Sequence, residues 1–228
     1  MKRSLRSARA AVIPLGKRID SDDYRDYVIR DGKFIGAFEE MYRNIEDPWN
    51  IGDASGIQYD LILYLLARHG ICRGGGKVLD IGCGKGAFTA RLKALLPDAE
   101  ILGVDISPTA VQKAEADHPV PGIRFSVLDI QTEYSRLPRE YDLVVLSQMV
   151  WYIIPRIGEI MRHILDNVLK DGGYLLVNQA FYRPGVQKYG SEKVSTVEDL
   201  IGITGRDPVE MVETNRLSNH NAILLFRG

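Results

Sequence analysis

Three aspartates each close a short apolar run: Asp80 in KVLDI, Asp105 in EILGVDI and Asp129 in IRFSVLDI. The first leads into Gly82-Cys83-Gly84-Lys85-Gly86-Ala87, a turn built for close approach of a backbone to a ligand. Gly82, Gly84 and Ala87 formally satisfy the G-x-G-x-x-G/A fingerprint of dinucleotide sites. The lysine and hydroxyl of a nucleotide-phosphate loop are missing at their required offset, which excludes that chemistry. Asp80 points away from a dinucleotide too, because a carboxylate beside a pyrophosphate sets like charge against like charge. It suits an ammonium or sulfonium instead. Asp105 stands where an acid accepts both hydroxyls of a ribose. Asp129 is placed to accept the exocyclic amine of an adenine, with Ile106 and Ile130 flanking the ring. The ligand described by these residues has adenine, ribose, a cationic amino-acid end and no phosphate.

The elements that must position these residues follow from the hydrophobic pattern. YDLVVLS and GYLLVNQ extend the series of continuous apolar runs, which reads as a parallel sheet buried on both faces. Helical segments fall between several of them. Phe88, Leu92, Leu95 and Leu96 mark one, and Ser107-Pro108 caps another that runs to about Ala116. Ile157 to Leu169 carries a wide amphipathic stripe that ends at Gly172. Strand and helix alternate, giving an α/β doubly wound sheet. Only the short loop NRLSNH joins PVEMVET to NAILLFRG, so the last two strands form an antiparallel hairpin. Ahead of the sheet, residues 20–47 read as helical, with Phe34, Phe38 and Tyr42 on one face, and a further helix runs from about Ile57 to Arg68.

The totals bound the rest. A chain of 228 residues makes one substantial domain, and a formal net charge of −1 recruits neither nucleic acid nor an anionic membrane. Cys72 and Cys83 lack metal-ligand spacing, so no metal site and no disulfide framework is expected; a reducing cytoplasmic setting is. No apolar run approaches the ~20 residues of a membrane span. Residues 1–19 hold six basic residues and no acid before Asp20. They are read as a mobile basic tail, with residues 20–228 a single domain: a helical lid over 20–70 and the sheet core over 77–228.

At this point the sequence resembles the class I S-adenosylmethionine-dependent methyltransferases. VLDIGCGKG looks like that family's first motif, GVDIS its second, VLDI its third and YDLVVLSQMVWYI its fourth. The resemblance implies a Rossmann-like seven-stranded sheet, mostly parallel, with the antiparallel hairpin at its C-terminus and extra N-terminal helices. It implies S-adenosyl-L-methionine as cofactor and S-adenosyl-L-homocysteine as product. The implied cofactor-binding residues are Asp80, Gly82, Gly84, Gly86, Asp105, Ile106, Asp129, Ile130 and Ser147. A finer resemblance joins MYRNIEDPWNIGD to the nodulation-type glycan N-methyltransferases and makes Trp49 a cofactor-lid residue, with Tyr42 beside it.

The acceptor side is carried by fewer residues. Ser147 and Gln148 follow the fourth strand and should lie beside the cofactor; Trp151 or Tyr152 could wall the reacting centre. Gln148 stands where the nodulation-type group has Glu, and a neutral amide orients an amine or hydroxyl but takes no proton. Asn178, Tyr182, Arg183 and Tyr189 follow the fifth strand. His220 opens the last strand on the active-site edge and is a candidate base. The Asp/Asn-Pro-Pro-Tyr/Phe motif of nucleic-acid base methyltransferases is missing, which argues against a base-flipping enzyme. Expected catalytic residues are therefore Gln148, Tyr152 and His220. The expected reaction is methyl transfer to an amino or hydroxyl group of a small molecule or sugar intermediate. Methylation of a macromolecule steered by the basic tail, and a cofactor-binding regulator without turnover, are the rivals.

Overall fold

A computed structural model describes residues 19–52, 54, 56–182, 189–215 and 219–228. Residues 1–18, which are nearly all of the basic segment, and Arg183 lie outside the described residues.

The chain enters through α1 (Arg25–Val28), a two-residue ribbon pairing Ile29–Arg30 with Lys33–Phe34, α2 (Phe38–Asn44) and α3 (Ile57–Arg68). The sheet core follows as β1 (Gly76–Ile81), α4 (Ala87–Leu95), β2 (Ala99–Asp105), α5 (Pro108–Asp117) and β3 (Ile123–Val127). Then come α6 (Ile130–Glu133), β4 (Tyr141–Ser147), α7 (Ile157–His163), β5 (Leu169–Tyr182), α8 (Val197–Thr204), β6 (Glu210–Asn215) and β7 (Asn219–Arg227). The seven-stranded sheet has the order β3-β2-β1-β4-β5-β7-β6. β1 to β5 pair in parallel, and β7 is antiparallel to both β5 and β6. This is the expected mixed α/β sheet with its terminal hairpin.

Alternate residues of the central strands enter opposite cores, which is why their sequences read as unbroken apolar runs. Leu79, Ile81, Val144 and Leu146 pack on one side with Ile157, Ile160 and Met161. Val78, Leu143, Val145 and Leu176 pack on the other with Ile62, Leu65 and Leu92. Among the described residues, no helix is long and apolar enough to cross a membrane.

Two expected helices are corrected. Residues 20–47 are not one helical segment, because Asp31 and Gly32 take φ of 52° and 74°. Two successive positive φ values at Asp-Gly make the tight hairpin turn that the four-residue aromatic spacing concealed. The stripe from Ile157 stays helical only to His163, continues as a π turn over Ile164–Val168, and yields to β5 at Leu169 rather than at Gly172.

The N-terminal elements pack against the edge of the core. Tyr27, Val28, Met41 and Tyr42 pack with Ala110 of α5. Glu39 caps the start of α5: its Oε2 accepts from Ser107 Oγ at 2.6 Å and Thr109 N at 3.0 Å, and its Oε1 accepts from Thr109 Oγ1 at 2.8 Å. Glu46 accepts from Lys85 of the glycine turn and Lys113 of α5, each at 2.9 Å.

Candidate functional site

The order of the sheet reverses between β1 and β4, and in such sheets ligands bind outside the carboxyl ends of the strands at that point. A cleft of about 370 Å³ opens there. Across the sheet edge its lining changes character. Asp80, Gly82 and Gly84 stand at the end of β1, Asp105 and Ile106 at the end of β2, and Asp129 and Ile130 just after β3. On the other side stand Ser147, Gln148 and Tyr152 at and beyond the end of β4, Ala180 and Tyr182 of β5, and Asn221 of β7. The N-terminal segment supplies Tyr24, Phe38, Tyr42 and Trp49. One half of the cleft is acidic, and the other is built of amides, hydroxyls and aromatic rings. No Lys, Arg or His is among its described lining residues.

In the acidic half, Asp105 accepts from Gly84 N at 3.0 Å through Oδ2 and from Ser107 N at 2.9 Å through Oδ1. The Ile106 N–H also faces the carboxylate, and its remaining lone pairs are open to ligand hydroxyls. Burial pushes the Asp105 carboxyl above its ordinary pKa, and the backbone N–H groups partly offset this. Burial also raises Asp80 to about 6, with the neighbouring Asp105 adding to the rise and the Thr89 hydroxyl, which donates at 2.6 Å, opposing it. Two nearly enclosed acids make a site that a cation would stabilise. Ile106 is 43% exposed at the same edge, leaving an apolar face open to a flat ring. Asp129 lines the cleft while capping α6: Oδ1 accepts from Gln131 N and Oδ2 from Thr132 Oγ1, both at 2.9 Å.

The glycines separate into two roles. Gly82 and Gly84 line the cleft at φ of 78° and 55°. A Cβ on Gly82 would sit 2.1 Å from Met149 Sδ, and one on Gly84 2.8 Å from the Tyr42 hydroxyl. Gly86, expected to bind cofactor, is not part of the cleft wall. It starts α4, and its Cβ would meet Phe125 at 2.7 Å, so packing between the helix and the sheet requires it.

In the neutral half, Ser147 Oγ accepts from Asn178 Nδ2 at 3.0 Å. Gln148 holds the left-handed region at φ 57°, fixed by its N–H donating to Asn178 O at 2.7 Å. Its side-chain oxygen accepts from Ala180 N at 3.0 Å, which leaves the NH₂ as the group it can offer a ligand. Four rings close the cleft: centroids lie 5.1 Å apart for Tyr24 and Trp49, 5.9 Å for Trp49 and Tyr152, and 5.1 Å for Phe38 and Tyr152. Trp49 Nε1 donates to the Tyr42 hydroxyl at 2.7 Å. Burial raises the phenols of Tyr42 and Tyr152, so both stay protonated.

Two acceptor-side expectations are placed elsewhere. His220 is not brought to the cleft: it pairs with Glu213 and lies against the Phe181 ring, while its neighbour Asn221 lines the cleft. Successive strand residues face opposite sides, so the expected base is one residue out of phase. Trp151 is buried and makes no part of the wall; Tyr152 does. Sequence reasoning missed Asn221, Tyr24 and Gln58. Alternation in NAILLFRG carried no chemical signal for Asn221, and Tyr24 and Gln58 reach the cleft only through the lid's tertiary packing.

The methyltransferase domain family, as a sequence model, matches residues 73–216. The chain belongs to that family. Among curated proteins it is 32% identical over 95 residues to malonyl-[acyl-carrier protein] O-methyltransferase of Acetivibrio thermocellus, covering 42% of this chain and 32% of that one. It is 31% identical over 120 residues to aklanonic acid methyltransferase DauC of a Streptomyces species, covering 49% and 51%. The chain thus spans about a third to a half of the length of the curated relatives it matches. N-methyltransferase NodS from Bradyrhizobium japonicum, in complex with S-adenosyl-L-homocysteine, superposes with a TM-score of 0.61 at 22% identity, covering 80% of this chain and 92% of that one. A [4+2]-cyclase, SpnF, shares the fold with a TM-score of 0.59 at 18% identity over 74% and 80%. The fold by itself therefore does not fix the reaction. The donor set here fits S-adenosylmethionine: a buried carboxylate with free lone pairs, an exposed Ile beside it, a second buried acid, and no cation in the described lining for a phosphate.

Proposed function

We propose that the protein transfers a methyl group from S-adenosylmethionine to the neutral amino nitrogen of a small acceptor, an amino sugar or similar polar amine. Asp105 takes the ribose hydroxyls, Ile106 and Ile130 enclose the adenine, and Asp80 faces the ammonium of the methionine end. Gly82 and Gly84 let the backbone approach. The cofactor supplies a methyl carbon already activated by its sulfonium. The chain's own work is alignment and exclusion of water by the aromatic lid.

The observation that carries this reading is the lack of a base among the described residues of the cleft's neutral half. Gln148 is an amide, Tyr152 a protonated phenol, and His220 lies outside the wall. A hydroxyl must lose its proton for efficient attack, whereas a neutral amine attacks with its lone pair and sheds a proton afterwards. The same lining, among its described residues, offers no cation to a carboxylic acid, such as the aklanonic acid in the name of one relative above.

Matched pairs test it: glucosamine against glucose, and benzylamine against benzyl alcohol, each incubated with S-adenosylmethionine and followed by product mass. Methylation of the amines, rising with pH as their ammonium forms deprotonate, supports the proposal. Methylation of the alcohols, or of neither set, contradicts it. Cofactor binding without turnover on any acceptor would favour the regulator reading.

A further inference from the structure

The turn that carries Asp129 and Ile130 is too short to hold itself in place. α6 is a single helical turn, continued by a 3-10 turn over Tyr134–Arg136. A helix of that length is not stable on its own, so its position comes from what grips it. Burial of Ile130 anchors its start. Arg156 grips the rest: Nη1 donates to Gln131 O at 2.8 Å, and Nη2 donates to the Tyr134 hydroxyl at 3.0 Å. The guanidinium also lies over the Tyr134 ring, 4.9 Å from its centroid. Glu159 of α7 holds the guanidinium in turn. Its Oε2 accepts from Arg156 Nε at 3.0 Å, from Nη2 at 2.6 Å and from the Tyr134 hydroxyl at 3.2 Å. An exposed ion pair three residues apart on one helix start needs only Glu159. The bonds to Gln131 O and Tyr134 instead cross from one element to another, and they use the fixed fork of an arginine. Arg156 closes the second of two 3-10 turns, Val150–Tyr152 and Ile154–Arg156, that lead on from β4. Tyr152, Ile153 and Gln131 line the cleft, and Arg156 stands behind them.

We infer that Arg156 is a positioning residue for adenine recognition: by holding Gln131 O and the Tyr134 hydroxyl it fixes the α6 turn, so that Asp129 meets the exocyclic amine of the adenine and Ile130 backs the ring. The bonds from Gln131 N and Thr132 Oγ1 set the Asp129 carboxylate within the turn. Arg156 sets the turn against the sheet. The choice it sharpens is between a 6-aminopurine and a 6-oxopurine. A held carboxylate accepts from the amine of the first and repels the oxygen of the second. Arg156 touches no ligand and moves no proton. The inference rests on the placement of the adenine beside Asp129 and is independent of the acceptor.

Calorimetry with S-adenosylhomocysteine and with S-inosylhomocysteine, its 6-oxo counterpart, tests it. The wild type should prefer S-adenosylhomocysteine by roughly 10-fold or more, the worth of one hydrogen bond to a charged group. Arg156→Gln should lose most of that preference, through weaker binding of S-adenosylhomocysteine with S-inosylhomocysteine affinity held or raised. Tyr134→Phe removes one of the two grips and keeps the ring, so it should lose part of the preference. Equal weakening of both ligands in Arg156→Gln overturns the inference, because the arginine would then support the fold at large. A wild-type preference in Arg156→Gln overturns it as well. If that variant does not fold, Tyr134→Phe decides by the same ratio: reduced in support, unchanged against. Asp129→Ala separates the clamp from the placement beneath it. Preference erased in Asp129→Ala but kept in Arg156→Gln removes the clamp alone. Preference intact in Asp129→Ala, or missing from the wild type, removes the placement and the clamp with it.

Discussion

At the scale of single residues, the two buried acids should behave differently. Asp105 accepts two backbone N–H bonds and has lone pairs left for the ribose. Asp105→Ala removes hydrogen bonds to a charged acceptor, worth about 1.5–3 kcal/mol each. S-adenosylhomocysteine affinity should fall by roughly 10- to 100-fold in calorimetry; wild-type affinity would remove Asp105 from the site. Asp80, raised to about 6, adds a pH dependence. A folded-state pKa above the unfolded value means Asp80 favours folding most below about 4, an advantage lost as pH rises through about 6. Binding a cation works in the opposite direction, because it needs the ionised form. Cofactor affinity should therefore weaken as pH falls below about 6, and Asp80→Asn should be weaker throughout and flat across that range. An equally steep fall in Asp80→Asn would assign the titration to another group. The acids and the cleft glycines Gly82 and Gly84 were legible in the sequence because strand ends and a glycine turn put them at known offsets. The packing of Gly86 against Phe125 was not legible, since that contact comes from a strand far along the chain.

At the scale of elements, the lid is fastened by Glu39 to the start of α5, two residues past Asp105. Ser107 joins them: its N–H donates to Asp105 and its hydroxyl to Glu39. Glu39→Ala should loosen α2, with faster amide exchange over Phe38–Asn44, and weaken cofactor binding several-fold while leaving exchange in β1 and β4 unchanged. Unchanged exchange in α2 would show that the aromatic packing of Tyr42 and Trp49 holds the lid alone. The Glu46 contacts with Lys85 and Lys113 lie at the surface, so raising salt should have little effect on lid exchange compared with Glu39→Ala. The lid was also the least legible part of the chain. The Phe34, Phe38 and Tyr42 spacing fits a helix, but Asp31-Gly32 turns the chain back before Phe34. Local periodicity could not reveal that Phe38 meets Tyr152 from the sheet core while Phe34 stacks on Tyr189. The strands were legible because burial on both faces leaves continuous apolar runs, and α5 because Ser107 caps it, its side chain accepting from Ala110 N at 3.1 Å.

At the scale of the whole molecule, order in the sheet divides the cleft, acids over β1–β3 and neutral groups over β4, β5 and β7. A ligand that fills the acidic half should stabilise the protein by mass action, about 2.7 kcal/mol when it stands 100-fold above its Kd. For a chain of this size that is a rise of roughly 5–10 °C in melting temperature, and Asp105→Ala should shrink it at the same ligand concentration. The most direct test of the account is a crystal structure with S-adenosylhomocysteine. The account predicts the ribose hydroxyls on Asp105, the adenine between Ile106 and Ile130, and the sulfur facing the wall of Gln148, Tyr152 and Asn221. A sulfur directed away from that wall, or a ribose held elsewhere, would contradict it.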